Sequence, residues 1–471
     1  MLSAALSLCF APPSSAATFS GDFSSYGGAV YDGGSVADAV NDVAVDTFSV
    51  GGPYVYVVGQ GNSTYSDWVI IKYDGAGVKL ASATIAGAAG NYDYPYAAAL
   101  DGAGNLYVAG CLVNSGMYCD AAVRKFSPSL VQLASHTYDG SGYPDAFRGL
   151  AWDPQGRLVA AGYTDNASDG GILLFRYDTG LVFQSSAAYY IPGQYNRAMS
   201  VAVSTAGDVF LGGERVAGVY DVLTLKFDAN MVFKASAVFD NGWTDRGTGI
   251  VLDPWGNVYV VGETRPSSSN LDFGVFKYTP SLVRLASATY GGGGGDWATA
   301  ALWEGSDLLV TGQHTNATPD WITLRYSTGL ALKGSVTYDG SGADTSYAIS
   351  RGTGDLVYVA GESVGASNLD FRTRQISITS LGMTPPPSIG AAGFSGVGTS
   401  SLTAVWTSGY PNGTLYYARL STGPFPNGYG GNVSSDTYNL SAGFTGLNLN
   451  INYYVQVGTA FAGPFVSMGS T

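Results

Sequence analysis

The sequence predicts an all-β fold built from one four-stranded sheet that is repeated along most of the chain. Residues 270–313 hold four short runs rich in β-branched and aromatic residues, FGVFKY, LVRLASATY, ATAALW and DLLVTG, separated by Pro, Gly, Ser and Asp. The same sequence pattern recurs before and after this stretch. Helical periodicity is nearly absent from the chain. The 67 glycines agree with many tight turns between short strands.

The spacing of the repeat indicates how the sheets assemble. A glycine that closes the fourth run recurs every 49 to 52 residues, at Gly59, Gly110, Gly162, Gly212, Gly262, Gly312 and Gly361. A period near 50 with four strands per unit is typical of a propeller, because a small sheet can bury both faces only against its neighbours. The chain enters at the second run of a unit and leaves after the first. We therefore predict a closed seven-bladed β-propeller of four-stranded blades, whose last blade is completed by an N-terminal strand.

The repeated motifs are D-x-x-x-x-K-(Y/F)-D, S-x-T-Y-D-G and A-(V/L)-D-x-x-G-(N/D)-(V/L)-(Y/F)-V-x-G. They resemble the bacterial β-propeller repeat called SBBP, over residues 24 to 380. The resemblance implies a seven-bladed fold and carries no catalytic residues with it. We assign residues 18–380 to the propeller.

Composition restricts the location and the partners of the protein. The net charge of −14 excludes most nucleic-acid binders, which need clustered Lys and Arg against phosphates. No run of 18 apolar residues exists, so we expect no transmembrane segment. Residues 1–17, MLSAALSLCFAPPSSAA, are typical of a signal peptide, and the missing positive start suggests a truncated one. We expect a secreted or cell-surface protein, acting as a monomer.

Two cysteines remain after the predicted signal peptide. Cys111 and Cys119 flank the turn LVNSGMY, where two antiparallel strand ends should approach. A disulfide suits an extracytoplasmic protein, and two free thiols in a loop are the alternative. Zinc is a poor fit because no histidines lie nearby in the sequence.

A second domain follows the repeats. Residues 381–388 contain three consecutive prolines and predict a stiff linker. Residues 389–471 alternate in a new pattern, and they resemble a fibronectin type III sandwich. The resemblance depends on Trp406 as a core tryptophan and on Leu447 and Tyr453 at the positions of a tyrosine corner. It implies a spacer or adhesion module.

An acidic residue begins the innermost strand of nearly every unit. Six units have Asp and the remaining one has Asn196; the aspartates are Asp38, Asp93, Asp145, Asp245, Asp296 and Asp344. A repeated Asp that caps a loop is the favoured interpretation, since it would recur whether or not an ion binds. Clustered carboxylates on this rim also suit calcium, which we keep as the alternative and as the only cofactor considered.

The positions one and three residues after this Asp differ from unit to unit, although packing alone would make them uniform. Aromatic and Arg side chains there offer stacking faces and forked donors to a glycan or protein ligand. The alternative is that they plug the channel. The ligand-binding candidates are Tyr94, Tyr96, Arg148, Arg197, Arg246, Trp297 and Tyr347.

No catalytic set is recognisable in the sequence. The two histidines form no Ser-His-Asp or metal-binding spacing, and the carboxylates occupy repeated positions, whereas a catalytic pair should break the repeat. We interpret Glu214, Glu263 and Glu362 as solvated. The sequence therefore favours a non-enzymatic propeller that binds a glycan or protein ligand, mediating adhesion. An extracellular polysaccharide hydrolase or lyase, or a structural envelope scaffold, is the alternative.

Overall fold

The fold was examined in a computed structural model of the chain. It describes residues 8–9, 17–18, 30–31, 38–47, 49, 51–61, 66–87, 91–140, 142–166, 169–266, 270–292, 294–340, 342–354, 356–364, 369–377, 389–397, 401–408, 416–421, 433–437, 441–445, 454–459 and 466–470. The linker prediction and most of the signal-peptide prediction lie outside these residues. The chain divides into two compact units, one comprising Met1–Asp46 and Gly51–Met383, the other Thr47–Val50 and Thr384–Thr471.

The first unit is built from four-stranded repeats. The inner strands are β4 (Ala39–Asp46), β8 (Tyr94–Leu100), β12 (Asp145–Trp152), β16 (Tyr195–Val203), β20 (Arg246–Leu252), β24 (Trp297–Glu304) and β28 (Asp344–Arg351). The second strands are β5 (Tyr54–Gly61), β9 (Leu106–Val113), β13 (Leu158–Asp165), β17 (Val209–Val216), β21 (Val258–Thr264), β25 (Asp307–Thr315) and β29 (Leu356–Val364).

The remaining strands lie further out. The third strands are β6 (Asp67–Asp74), β10 (Cys119–Phe126), β14 (Gly170–Tyr177), β18 (Tyr220–Phe227), β22 (Asp272–Tyr278), β26 (Pro319–Ser327) and β30 (Leu369–Ser377). The outer strands are β7 (Lys79–Ile85), β11 (Gln132–Tyr138), β15 (Phe183–Tyr189), β19 (Phe233–Phe239), β23 (Arg284–Tyr290), β27 (Leu332–Tyr338) and the short β3 (Val30–Tyr31). Two further short strands, β1 (Leu8–Cys9) and β2 (Ala17–Thr18), pair in parallel with β23 and β27.

Each repeat is an antiparallel sheet in the order inner, second, third, outer. The N-terminal β3 pairs with β30 and is the fourth strand of its sheet. Within the described residues these repeats form six sheets. Two neighbouring repeats share one sheet, because a parallel bridge between Gly170 and Tyr195 joins them. Each inner strand contacts the next one along the chain, and β28 contacts β4.

Burial explains the sequence pattern of each strand. Every residue of β9 and of β14 is buried, since sheets cover both faces, whereas β11 and β15 alternate between exposed and half-buried positions. The cores lie between adjacent sheets. One core joins the beginning of the unit to its end, because Val57 and Tyr73 pack with Tyr358 and Phe371. The hydrophobic effect therefore favours contact between the two ends of the repeat array.

The structure links Cys111 and Cys119 by a disulfide, with their Cα atoms 5.3 Å apart. The two residues lie on the adjacent strands β9 and β10, so the bond ties one hairpin across its turn. We expect reduction to lower the unfolding free energy by about 2 to 3 kcal/mol, because a closed loop restricts the unfolded chain. Urea unfolding with and without reductant measures this. A Cys111→Ala/Cys119→Ala variant should not respond to reductant, and an equal response in that variant would contradict the explanation.

The second unit contains two antiparallel sheets in its described residues. The first has the order β31 (Ile389–Val397), β32 (Ser401–Ser408), β35 (Ser441–Thr445). The second has the order β34 (Val433–Thr437), β33 (Tyr416–Ser421), β36 (Tyr454–Thr459), β37 (Val466–Ser470). Trp406 lies on β32 opposite Ala392, and the predicted corner residues Leu447 and Tyr453 lie outside the described residues.

Candidate functional site

A β-bulge interrupts every inner strand at the same position. The pairing of the inner strand with the second strand skips one residue there, so this residue has no partner in the ladder. Bulges change the direction of a side chain and are frequent beside active sites. The bulged residues, which we call the bulge ring, are Asn41, Tyr96, Arg148, Met199, Thr248, Thr299 and Tyr347.

The recurring glycine of the second strand makes room for each bulge. A Cβ atom on Gly162 would overlap the backbone oxygen of Ala146 and would lie 2.8 Å from the Cα of Phe147. In the fourth repeat this role belongs to Gly213, which pairs with Ala198, rather than to Gly212 as the sequence register predicted. Adjacent glycines made the register ambiguous by one residue in the sequence.

The bulge ring surrounds two adjoining cavities at the inner strands. One cavity has a volume of about 250 Å³ and is lined by the whole bulge ring together with Trp297. The other has about 220 Å³, and Asp42 and small residues such as Ala97 and Gly149 line it as well. Trp297 is the first residue of its inner strand, whereas Asp42 is the fourth residue of the equivalent strand. The second cavity therefore lies further along the channel than the first.

Asp42 breaks the repeat and was missed in the sequence analysis. The equivalent residues of the other units are all small: Ala97, Gly149, Ser200, Gly249, Ala300 and Ala348. The amide of Val43 donates to its Oδ1 at 2.8 Å, and the amide of Ala98 donates to its Oδ2 at 2.7 Å. Burial raises the pKa of Asp42 to about 7 although both hydrogen bonds lower it. A carboxyl group with this pKa can donate or accept a proton near neutral pH.

The structure brings together four of the seven predicted ligand residues at the cavities: Tyr96, Arg148, Trp297 and Tyr347. The other three do not line either cavity. Tyr94 stacks on Tyr96, with the ring centroids 6.1 Å apart.

Arg197 and Arg246, which lie at or near the start of two neighbouring inner strands, are engaged with carboxylates. Arg197 pairs with Asp165 at 2.8 Å, and Arg246 pairs with Glu263 at 3.1 Å and with Glu214 at 3.5 Å. These two guanidinium groups therefore neutralise protein carboxylates before any ligand arrives.

The interpretation of Glu214, Glu263 and Glu362 as solvated was wrong. Glu214 and Glu263 are buried, and Glu362 is half-buried. Burial raises the pKa of all three, and Arg246 lowers the pKa of the first two in part. The hydroxyl of Tyr347 donates to Glu362 Oε1 at 2.8 Å, so an acidic group stands directly behind the bulge ring.

The six predicted calcium aspartates receive hydrogen bonds from loop amides wherever the structure describes their partners. Asp93 accepts from Gly87 at 2.5 Å and from Val113 at 2.7 Å. Asp145, Asp245, Asp296 and Asp344 accept amides in the same way, and Asp38 is fully buried. These donors support the capping interpretation.

Three carboxylates, of Asp320, Asp339 and Asp344, bring ligand atoms within 4.8 Å of one another, as calcium requires. The calcium hypothesis stays a prediction.

The raised pKa of Asp42 predicts a pH effect on stability. The folded state holds the Asp42 proton up to about pH 7, whereas the unfolded chain releases it near its ordinary pKa of 3.8. Asp42 therefore lowers stability as the pH rises from about 4 to 7. Between about pH 4 and pH 7 we expect the unfolding free energy of Asp42→Asn to rise by roughly 2 kcal/mol relative to that of the parent protein. The change is smaller than the pKa shift alone would give, because the cavity is open to water, which screens the charge. Urea unfolding at both pH values measures this, and a constant difference would contradict it.

Comparison with known proteins establishes the architecture. No family model matches the chain, and no curated protein is similar to it. An ulvan lyase of a new polysaccharide lyase family, solved bound to -[GlcA(1-4)Rha3S]-, is similar in structure with a TM-score of 0.50 and 10% identity, over 74% of this chain and 96% of the lyase. A protein of unknown function from Dyadobacter fermentans has a TM-score of 0.46 and 11% identity, over 74% and 97% of the two chains. A periplasmic gluconolactonase of Pseudomonas aeruginosa has a TM-score of 0.41 and 13% identity, over 73% and 99%. The class is thus an all-β protein of repeated four-stranded antiparallel sheets with propeller-like neighbours.

The comparison corrects one prediction. We expected a protein that is not an enzyme, because no catalytic set was recognisable in the sequence. The neighbour with a TM-score of 0.50 is a polysaccharide lyase, which contradicts that expectation, although an identity of 10% shows the fold alone. A known catalytic spacing is a poor guide in a repeat fold, because one cavity here is lined by single residues from distant repeats.

Within the ranges that the structure describes, the chain has no helix with the length and hydropathy needed to cross a membrane.

Proposed function

We propose that this protein is a secreted or cell-surface enzyme that cleaves a polysaccharide at the cavities inside the bulge ring. One observation carries the proposal. The bulge residues of all the inner strands converge on one cavity, and Asp42, which replaces the small residue of the other inner strands, lines its continuation. A concave site with convergent polar groups and one group of perturbed pKa is the usual form of an active site.

Asp42 supplies the proton transfer. Glycosidic cleavage needs a proton on the leaving oxygen as its bond to carbon breaks, and an acid with a pKa near the working pH donates it most effectively. In hydrolysis the carbon then takes hydroxide from water, whereas in elimination a neighbouring C–H loses its proton and a double bond forms. Glu362 lies behind Tyr347, which lines both cavities and donates to Glu362 Oε1 at 2.8 Å, so a proton taken from water or from carbon would reach this second carboxylate through the Tyr347 hydroxyl.

The aromatic members of the site provide the binding surface. Trp297, Tyr96 and Tyr347 line the outer cavity. Sugar rings stack on aromatic faces, while the polar groups of the ring fix their orientation. The lyase with a TM-score of 0.50 supports a polysaccharide substrate for this architecture.

The finer architecture belongs to the same proposal. We infer seven blades of the SBBP type, closed by β3, since β28 contacts β4 and β3 pairs with β30. The two antiparallel sheets of the second unit, of three and four strands, support a fibronectin type III module. The protein would act as a monomer, with this module as a spacer.

A panel of neutral and acidic polysaccharides tests the proposal. We expect new reducing ends from at least one of them on incubation with the full chain. Ultraviolet absorbance of an unsaturated product would identify elimination, and its absence would identify hydrolysis. No new ends from any member of the panel would count against the enzyme.

A further inference from the structure

We propose that Arg148 binds the carboxylate of a uronate unit, so that the substrate is an acidic polysaccharide; this inference rests on the proposed function for the identity of the substrate polymer. The side chain of Arg148 lines both cavities, and it belongs to the bulge ring.

The charge of Arg148 is not neutralised by any neighbouring carboxylate that the structure describes. Among the residues that the structure describes, Arg148 has no carboxylate within ion-pair distance and no hydrogen-bond acceptor. The other two predicted arginines, Arg197 and Arg246, lie outside the cavities and are held by carboxylates at 2.8 Å and 3.1 Å. Arg148 therefore offers its forked donors to the cavity, and that geometry matches a carboxylate with two parallel hydrogen bonds.

An aromatic ring holds the guanidinium group of Arg148 in position. The guanidinium carbon of Arg148 lies 3.8 Å from the centre of the Tyr96 ring, and the Tyr94 ring is nearly parallel to the Tyr96 ring, with the centroids 6.1 Å apart. Stacking fixes the plane of the guanidinium without using its N–H donors. A positioned and unpaired donor in a chain of net charge −14 is a local binding point for an anion.

The carboxyl group that shares the cavity with Arg148 is compatible with a bound uronate. The cavity places Arg148 together with Asp42, whose pKa of about 7 leaves it protonated in mildly acidic solution. A protonated carboxyl group does not repel a uronate, so both can occupy the cavity. The same site would bind a neutral sugar without using the charge of Arg148.

Binding measurements test this without requiring turnover. The probes are a galacturonate oligosaccharide, a mannuronate oligosaccharide, their carboxyl-reduced counterparts and a sulfated neutral oligosaccharide, titrated calorimetrically into the full chain. We expect at least one oligouronate to bind about tenfold or more tightly than its reduced counterpart, and Arg148→Met to abolish that preference. Met is a suitable replacement because Met199 occupies the equivalent bulge. Arg284→Met, which removes an exposed charge on an outer strand, should keep the preference.

The outcomes separate the two proposals. Equal binding of the uronate and reduced probes, binding of neither, equal binding of the sulfated probe, or a preference that survives in Arg148→Met would overturn the uronate inference. Cleavage of a neutral polymer that depends on Asp42, without uronate preference, would leave the enzyme standing and remove this inference. Arg148-dependent uronate binding with no cleavage of any polymer would support the uronate site and count against the enzyme.

Discussion

Replacing Asp42 by Asn should lower kcat on the cleaved polysaccharide by about a hundredfold to ten-thousandfold, the range that a positioned general acid contributes. Asn keeps the shape of the side chain and can still accept one of the two amide hydrogen bonds, from Val43 or Ala98. It has no proton to give at neutral pH. Because substrate contacts at Tyr96 and Trp297 remain, KM should change much less than kcat.

Two variants serve as controls for this result. Asp42→Ala introduces the residue found at the equivalent positions Ala97 and Ala300, so it should fold and should be as inactive as Asp42→Asn. Asp228→Asn removes a carboxylate from the turn after β18, where its oxygen accepts the amides of Asn230 and Val232, and should keep full activity. Unchanged kcat in Asp42→Asn, with the parent protein active, would show that Asp42 is not the proton donor.

Replacing Gly162 by Ala should lower the unfolding free energy by about 3 kcal/mol or more. The added methyl group would meet two backbone atoms of the inner strand, the oxygen of Ala146 and the Cα of Phe147. Neither can move without displacing the bulge that carries Arg148. The midpoint and slope of urea unfolding give the change in free energy.

A glycine free of such contacts gives the reference. A Cβ atom on Gly329 would lie 3.9 Å from its nearest neighbour, so Gly329→Ala should stay within about 0.5 kcal/mol of the parent protein. If Gly162→Ala were as stable as Gly329→Ala, the close approach of the two strands at the bulge would be refuted.

The sequence located the channel mouth but not its chemistry. Variation between units at the positions of Tyr96, Arg148 and Tyr347 predicted side chains directed into the channel, and the structure places all three at the cavity. Comparing the units at the position that follows each bulge residue would have revealed Asp42, because every other unit has a small residue there. The ion pairs of Arg246 could not have been predicted from the sequence. They depend on two glutamates of separate sheets that only folding brings close to this arginine.

Periodicity alone determined the repeated four-stranded sheet, since a strand covered on both faces must be apolar along its length and an outer strand must alternate. The tertiary structure decided which side chains enter the cavity. A bulge exists only in the register between two strands, so the sequence shows that the positions of Tyr96 and Arg148 vary between units but does not show the bulges that place them at the cavity. The tertiary structure also decided which charges are available, because burial raises the pKa of Asp42, and burial is a property of the assembled sheets. Arg148 stacks on Tyr96 and has no carboxylate within ion-pair distance among the described residues.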